Sequence, residues 1–125
     1  MDKEQQIWES LKNKEYREAF AADVGTGIAF QVKLMRENRG WTQEQLGEKT
    51  GKAQPTIAQL ENPDYGRFSL DSLKRLANAF DVALMVRFVP FSELVDWTVG
   101  LTPERLTPPS FDEEQRARDT KENGV

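Results

Sequence analysis

The stretch TQEQLGEKTGKAQPTIAQLEN, Thr42 to Asn62, decides the fold. Thr42 and Gln45 have the spacing of a capping box, in which the threonine oxygen accepts from the Gln45 amide and the glutamine side chain reaches back. Trp41 before the cap and Leu46 at the fourth helical position form the matching hydrophobic staple. A helix is therefore predicted from Thr42 to about Thr50, closed by Gly51 at a position that favours left-handed backbone. After a short turn, a second helical pattern runs from Gln54 through Ile57 and Leu60 to Glu61. A polar loop with Asn62, Pro63, Asp64 and Gly66 ends it. Two short helices joined across a glycine-containing turn have the length and spacing of a helix-turn-helix.

The second helix has two unlike sides. Ile57, Leu60 and Glu61 face inward, while Gln54, Pro55, Ala58, Gln59 and then Asn62 face out. The outward set is uncharged and small, apart from the amides. A glutamine amide offers a donor beside an acceptor, which matches the N6 and N7 edge of adenine in the major groove. Ala58 and the Pro55 ring permit close approach and contact with a thymine methyl. Pro55 falls in the first turn, where the missing N–H has no intrahelical acceptor, so it presets the turn without kinking the helix. Ala53 supplies no capping oxygen, at a cost of about 1 kcal/mol relative to serine or threonine.

Working outward, Lys3 to Asp23 reads as one helical arm, with Ile7, Leu11, Tyr16, Ala19 and Phe20 at helical steps. Gly25 and Gly27 are expected to break it. A helix from Gly27 to Arg39 follows, with Ile28, Val32 and Met35 as its stripe, and Phe30 and Leu34 off that stripe to receive the arm. Gly40 suits its C-terminus. Ser69 caps a further helix whose apolar face is Leu70, Leu73, Leu76, Ala77 and Phe80. The period then changes. From Val82 to Pro90, Val82, Leu84, Val86 and Phe88 alternate with Ala83, Met85, Arg87 and Val89, which predicts a strand. A lone strand cannot satisfy its own backbone, so pairing with the same strand of a second copy, or with a partner protein, is expected. Ser92 is expected to cap a short helix through Trp97. Beyond Gly100 the chain is charged and punctuated by proline, expected to be disordered or ordered only against a partner, with Pro108 to Phe111 read as a proline-rich linker. The chain thus divides into an N-terminal arm over 1–25, a helix-turn-helix domain over 26–81, a strand and short helix for dimerisation or partner contact over 82–100, and a flexible tail over 101–125.

Composition narrows the chemistry. The 125 residues include neither cysteine nor histidine, which removes disulfides, thiolate metal sites, ordinary zinc sites and imidazole-dependent nucleophiles. No acidic cluster has calcium-loop spacing, so no metal, no cofactor and no catalytic residue is assigned, and an enzyme is the least favoured class. The N-terminus lacks a basic region followed by an apolar run, and no apolar stretch has membrane-spanning length, so a cytoplasmic protein with no membrane partner is expected. The net charge of −4 is unevenly placed: Lys33 to Arg75 carries eight basic against six acidic residues, and the chain from Phe91 onward four against eight. A mildly basic middle permits a nucleic-acid partner.

The run from Trp41 to Val82, with TQEQLGEKTG, Gln54 and Gln59, the LEN that follows them and the final SLDSLKRLANAF, resembles the helix-turn-helix domain of the Cro/C1 (XRE) regulators, the lambdoid phage repressors among them. The resemblance covers roughly Ile28 to Val82. It implies a mainly α fold, a five-helix Cro/C1-type domain, here with an extra N-terminal helix and one C-terminal β-strand used in dimer pairing. By the same resemblance Gln54, Pro55 and Gln59 point at base edges, and Gln43 braces Gln54 and contacts a phosphate. Asn62 and Arg67 touch the DNA backbone, Thr42 and Thr56 join that backbone-or-bracing set, and Arg36 pairs structurally with Glu61. Val82, Leu84, Val86 and Phe88 are the expected dimer or partner strand. The implied function is a sequence-specific regulator of double-stranded DNA, acting as a homodimeric repressor on an inverted repeat. An antitoxin that grips a toxin and represses its own operon is the alternative, and a protein-interaction adaptor without DNA binding the second.

Overall fold

A computed structural model of the chain describes residues 1–124, and among them every regular element is a helix. The order is α1 (Lys3–Ser10), α2 (Lys14–Ala22), α3 (Val24–Asn38), α4 (Gln43–Thr50), α5 (Gln54–Leu60), α6 (Leu70–Phe80), α7 (Phe91–Val99), α8 (Pro103–Leu106) and α9 (Phe111–Glu122).

The core lies between α3, α4, α5 and α6. Val32 and Met35 from α3, Leu46 from α4, Ile57 and Leu60 from α5, and Leu76 and Phe80 from α6 form one buried cluster. Trp41 stacks on Phe80, ring centroids 5.5 Å apart, and closes the cluster at the entry to α4. The amphipathic stripes read from the sequence meet here, because burying them together removes the most apolar surface from water. Between Ile28 and Val82 there are four helices rather than the five expected. The stretch after α5 stays in turns: the Asn62 side chain accepts from the Asp64 amide at 3.0 Å, Pro63 follows, and Gly66 adopts φ +63°.

Three other expectations at the N-terminal side are corrected. The arm is two helices, not one. Its break falls after Ser10, because Asn13 offers its side-chain oxygen to the Tyr16 amide and starts α2 as a new helix, while Leu11 in the joint is buried. Gly25 and Gly27 do not break a helix but lie inside α3, which begins at Val24. Gly25 is there for packing: a Cβ on it would stand 2.9 Å from the Gly66 Cα. Phe30 is not covered by the arm and remains 56% exposed.

Elsewhere α7 packs on α1 and α8 on α3, and Leu11, after α1, and Val95, in α7, are buried. Between α2, α3, α7 and α8 runs an apolar groove of about 920 Å³, with Phe20, Phe30, Leu34, Leu94 and Trp97 among its walls.

The expected strand is absent. Val82 to Pro90 is extended in pattern but pairs with no neighbour, and its backbone has no ladder among the described residues. Alternating side chains predict a strand, yet a strand exists only through a partner strand, and none is present among the described residues. Val82 packs on the core, whereas Val86 and Phe88 project into solvent, Phe88 fully. Helix α7 begins at Phe91, a residue before Ser92, because the Pro90 carbonyl accepts from the Glu93 and Leu94 amides; Ser92 caps nothing.

Two helices, α8 and α9, occupy much of the tail where disorder was expected; residue 125 lies outside the described residues. Ser110 caps α9 through the Glu113 amide. The start of α9 docks on Asp81, whose carbonyl accepts from the Phe111 amide at 2.7 Å and whose carboxylate accepts from the Asp112 amide at 3.2 Å. Asp81 reaches this position with φ +59° at the C-cap of α6.

The two α3 glycines give a paired test. Gly25→Ala is expected to cost about 1–3 kcal/mol in urea unfolding, since backbone must move to admit the methyl group. Gly27→Ala, whose Cβ meets nothing within 4 Å, is expected to be neutral or stabilising by up to about 1 kcal/mol.

Candidate nucleic-acid interface

Helix α4 starts with both halves of the capping box in place: Thr42 Oγ1 accepts from the Gln45 amide at 3.1 Å, and Gln45 Oε1 accepts from the Thr42 amide at 2.8 Å. It ends at Gly51 with φ +72°. The buried Thr50 hydroxyl donates back to the Leu46 carbonyl at 2.8 Å, so no polar group is stranded at the joint. The turn into α5 is tight enough that a Cβ on Gly47 would collide with the Lys52 carbonyl oxygen. That closeness sets the crossing of α4 and α5 and leaves the outer side of α5 uncovered.

Helix α5 carries Pro55 in its first turn with no distortion, and Ala53 precedes it with no side-chain cap. Ile57 and Leu60 are buried beneath it. Gln54, Pro55 and Gln59 are exposed and Ala58 is half-buried, so one uncharged face points to solvent. Asn62 is exposed beyond its end, where its side chain serves the following turn.

Behind that face lies a continuous polar chain. Arg36 Nε donates to Glu61 Oε2 at 2.6 Å and its Nη2 to Glu61 Oε1 at 3.0 Å, while Nη1 donates to the Trp41 carbonyl at 2.8 Å. Glu61 is buried, and its carboxylate holds the Arg36 guanidinium above its ordinary range. Gln43 Nε2 donates to Glu61 Oε1 at 3.2 Å, and Gln54 Nε2 donates to Gln43 Oε1 at 2.6 Å. The structure therefore brings Arg36, Glu61, Gln43 and Gln54 together, one after another, from the core to the exposed end of α5. The Gln43–Glu61 contact was missed in the sequence; it joins residues 18 apart on different helices, a separation with no periodic signal.

The remaining sequence-derived residues fall in two places. Thr56 and Arg67 line a hollow of about 440 Å³ beside α5, together with Lys52, Tyr65 and Ser72. Lys52 Nζ lies 3.1 Å from Ser72 Oγ there, and neither residue stood out in the sequence as part of such a hollow. Arg67 is exposed and makes no ion pair among the described residues. Lys49, by contrast, sits 4.6 Å over the Trp41 ring. Val82, Leu84, Val86 and Phe88 lie apart from this face, on the segment between α6 and α7.

Breaking the buried pair from one side is expected to be costly, whereas replacing both partners is not. Arg36→Met leaves Glu61 buried without its cation and is expected to cost about 3–5 kcal/mol in chemical unfolding. The double variant Arg36→Met, Glu61→Leu removes both charges and is expected to recover most of that loss.

Comparison with known proteins agrees with this geometry. Residues 32–85 match the family model described as "Helix-turn-helix". A protein of Neisseria meningitidis serogroup B, named a hypothetical transcription factor, is 24% identical over 86 residues, covering 69% of this chain and 80% of that protein. The antitoxin HipB of Escherichia coli K12 is 48% identical over 40 residues, covering 31% of this chain, and the match spans only 46% of that antitoxin. HipB of a second Escherichia coli strain matches over the same share of this chain and 43% of its own length. No solved structure matches the chain significantly. Among the described residues no helix is long and apolar enough to cross a membrane. Residues 32–85, which hold the capped α4, the tight turn and the exposed α5, are thus similar to the helix-turn-helix family.

Proposed function

We propose that the chain is a sequence-specific, non-enzymatic DNA-binding repressor that acts in the cytoplasm as a homodimer on an inverted repeat. The observation that supports this most is the outer face of α5. It is uncharged, it carries two exposed glutamines, and one of them is held in place by Gln43. Gln54 and Gln59 read base edges, with Pro55 and Ala58 allowing the helix to lie close in the major groove. Gln43, Thr42, Thr56, Asn62 and Arg67 meet or brace the phosphate backbone, and these contacts supply affinity that falls with salt. Two such helices enter successive major grooves about 34 Å apart.

A second copy covers the exposed Leu84, Val86 and Phe88, which lie off the α5 face and would otherwise stay in water. Burying Phe88 alone, fully exposed in the single chain, removes a large apolar ring from solvent.

The 48% identity to HipB over 40 residues favours a second reading, in which the same core represses an operon that encodes a toxin, and the surfaces outside the core hold that toxin. The α2–α3–α7 groove and the segment after α6 are the apolar surfaces available for it. Relief of toxicity on co-expression with the product of a neighbouring gene is the result that separates this reading from a plain repressor. An adaptor without DNA binding is separated from both by selection from a random duplex pool, in which it enriches nothing.

Two measurements check the main reading. Gln59→Ala is expected to lose discrimination at one base pair by about 1–3 kcal/mol in gel-shift titrations, with the other positions unchanged. Phe88→Asp is expected to shift the solution mass from two chains to one at micromolar concentration; an unchanged mass rejects this contact surface.

A further inference from the structure

The polar chain behind α5 has a direction. Arg36 can only donate, and a carboxylate can only accept, so Glu61 takes two guanidinium hydrogens and turns an acceptor toward Gln43. Gln43 must then present its NH2 to Glu61, which it does at 3.2 Å. Its Oε1 is left for Gln54, whose Nε2 donates to it at 2.6 Å. Turning the Gln43 amide over would set oxygen against oxygen at Glu61 and NH2 against NH2 at Gln54. The order is therefore decided at the buried end, by a group that cannot change roles, and carried outward by two that otherwise could.

We propose that Glu61 is a positioning residue for base recognition: acting through Gln43, it fixes the Gln54 amide so that its Oε1 and one N–H are left for the base, which selects adenine. This rests on the base-reading role proposed above for Gln54. In the major groove adenine offers an amino donor beside the N7 acceptor and matches both free groups. Cytosine offers only its amino group, and guanine N7 and O6 and thymine O4 offer only acceptors. An amide free to turn is indifferent to that difference; a fixed one is not. The ion pair thus has a second role beyond joining α3 to α5.

Selection from a random duplex pool tests this, with thermal unfolding in parallel and with the side-chain amide NMR signals of the labelled protein recorded without DNA. Wild type is expected to enrich adenine at the position whose preference Gln54→Ala abolishes. Glu61→Gln can donate as well as accept, so its preference for adenine over guanine and thymine there is expected to fall by about tenfold. The Gln54 NH2 signals are expected to move toward those of a free glutamine. Where Glu61→Gln fails to fold because Arg36 is left without its carboxylate, the double variant Arg36→Met, Glu61→Gln carries the same expectation. Gln43→Met keeps the ion pair and the melting temperature, and is expected to lose the same preference. The inference is overturned if the Glu61 variants keep the adenine preference and the Gln54 signals stay put, or if wild type selects guanine or thymine at that position. A wild type that enriches no sequence overturns the DNA-binding reading instead, and the Gln54 signals in the Glu61 variants then decide the orientation by themselves.

Discussion

The two hydrogen bonds between Arg36 and Glu61 are the interaction on which the placement of α5 depends. Glu61 closes α5, Arg36 belongs to α3, and the same guanidinium takes the Trp41 carbonyl just before α4. One side chain thereby ties three helices at their ends. A buried ion pair of this kind adds little net stability over an apolar replacement. Its value is geometric: it admits one relative placement of α3, α4 and α5, and any other leaves a charge buried and unpaired.

Helix α3 is the shared wall of two packing regions. One side, with Val32 and Met35, meets the core that supports α4 and α5. The other faces the N-terminal helices and the chain after α6, through the α8 contact and the bond from Gln31 to the Leu106 carbonyl. At its N-terminal end, Gly25 lies against Gly66 and Thr26 donates to the Pro63 carbonyl, so the loop after α5 is held from the same helix. The apolar groove and the α5 face thus share a wall without sharing residues.

The segment from Val82 to Pro90 and the tail were misread for related reasons. Alternation in VALMVRFVP records which side chains part company, and it holds whether or not a partner is present; a strand needs that partner to complete its hydrogen bonds. The tail looked disordered because α9 is polar all round and buries no side chain. Composition reports the absence of an apolar face, but α9 is held by its backbone amides on Asp81, and amides are the same in every sequence. The break between α1 and α2 was missed similarly. The period survives across it, and only the Asn13 cap marks it.

What the sequence by itself determined is local and periodic. The capping box, the staple, the helix-ending glycines and the apolar stripes place α4, α5 and α6, and mark the outer side of α5. These signals are legible because they act within a turn or two of the chain, where spacing is geometry. The tertiary structure alone decided what joins distant positions: Gly25 against Gly66, the docking of α9 on Asp81, and the contact from Gln43 to Glu61 that sets which way an exposed glutamine faces. Such contacts leave no period, because their residues meet only after separate helices have packed.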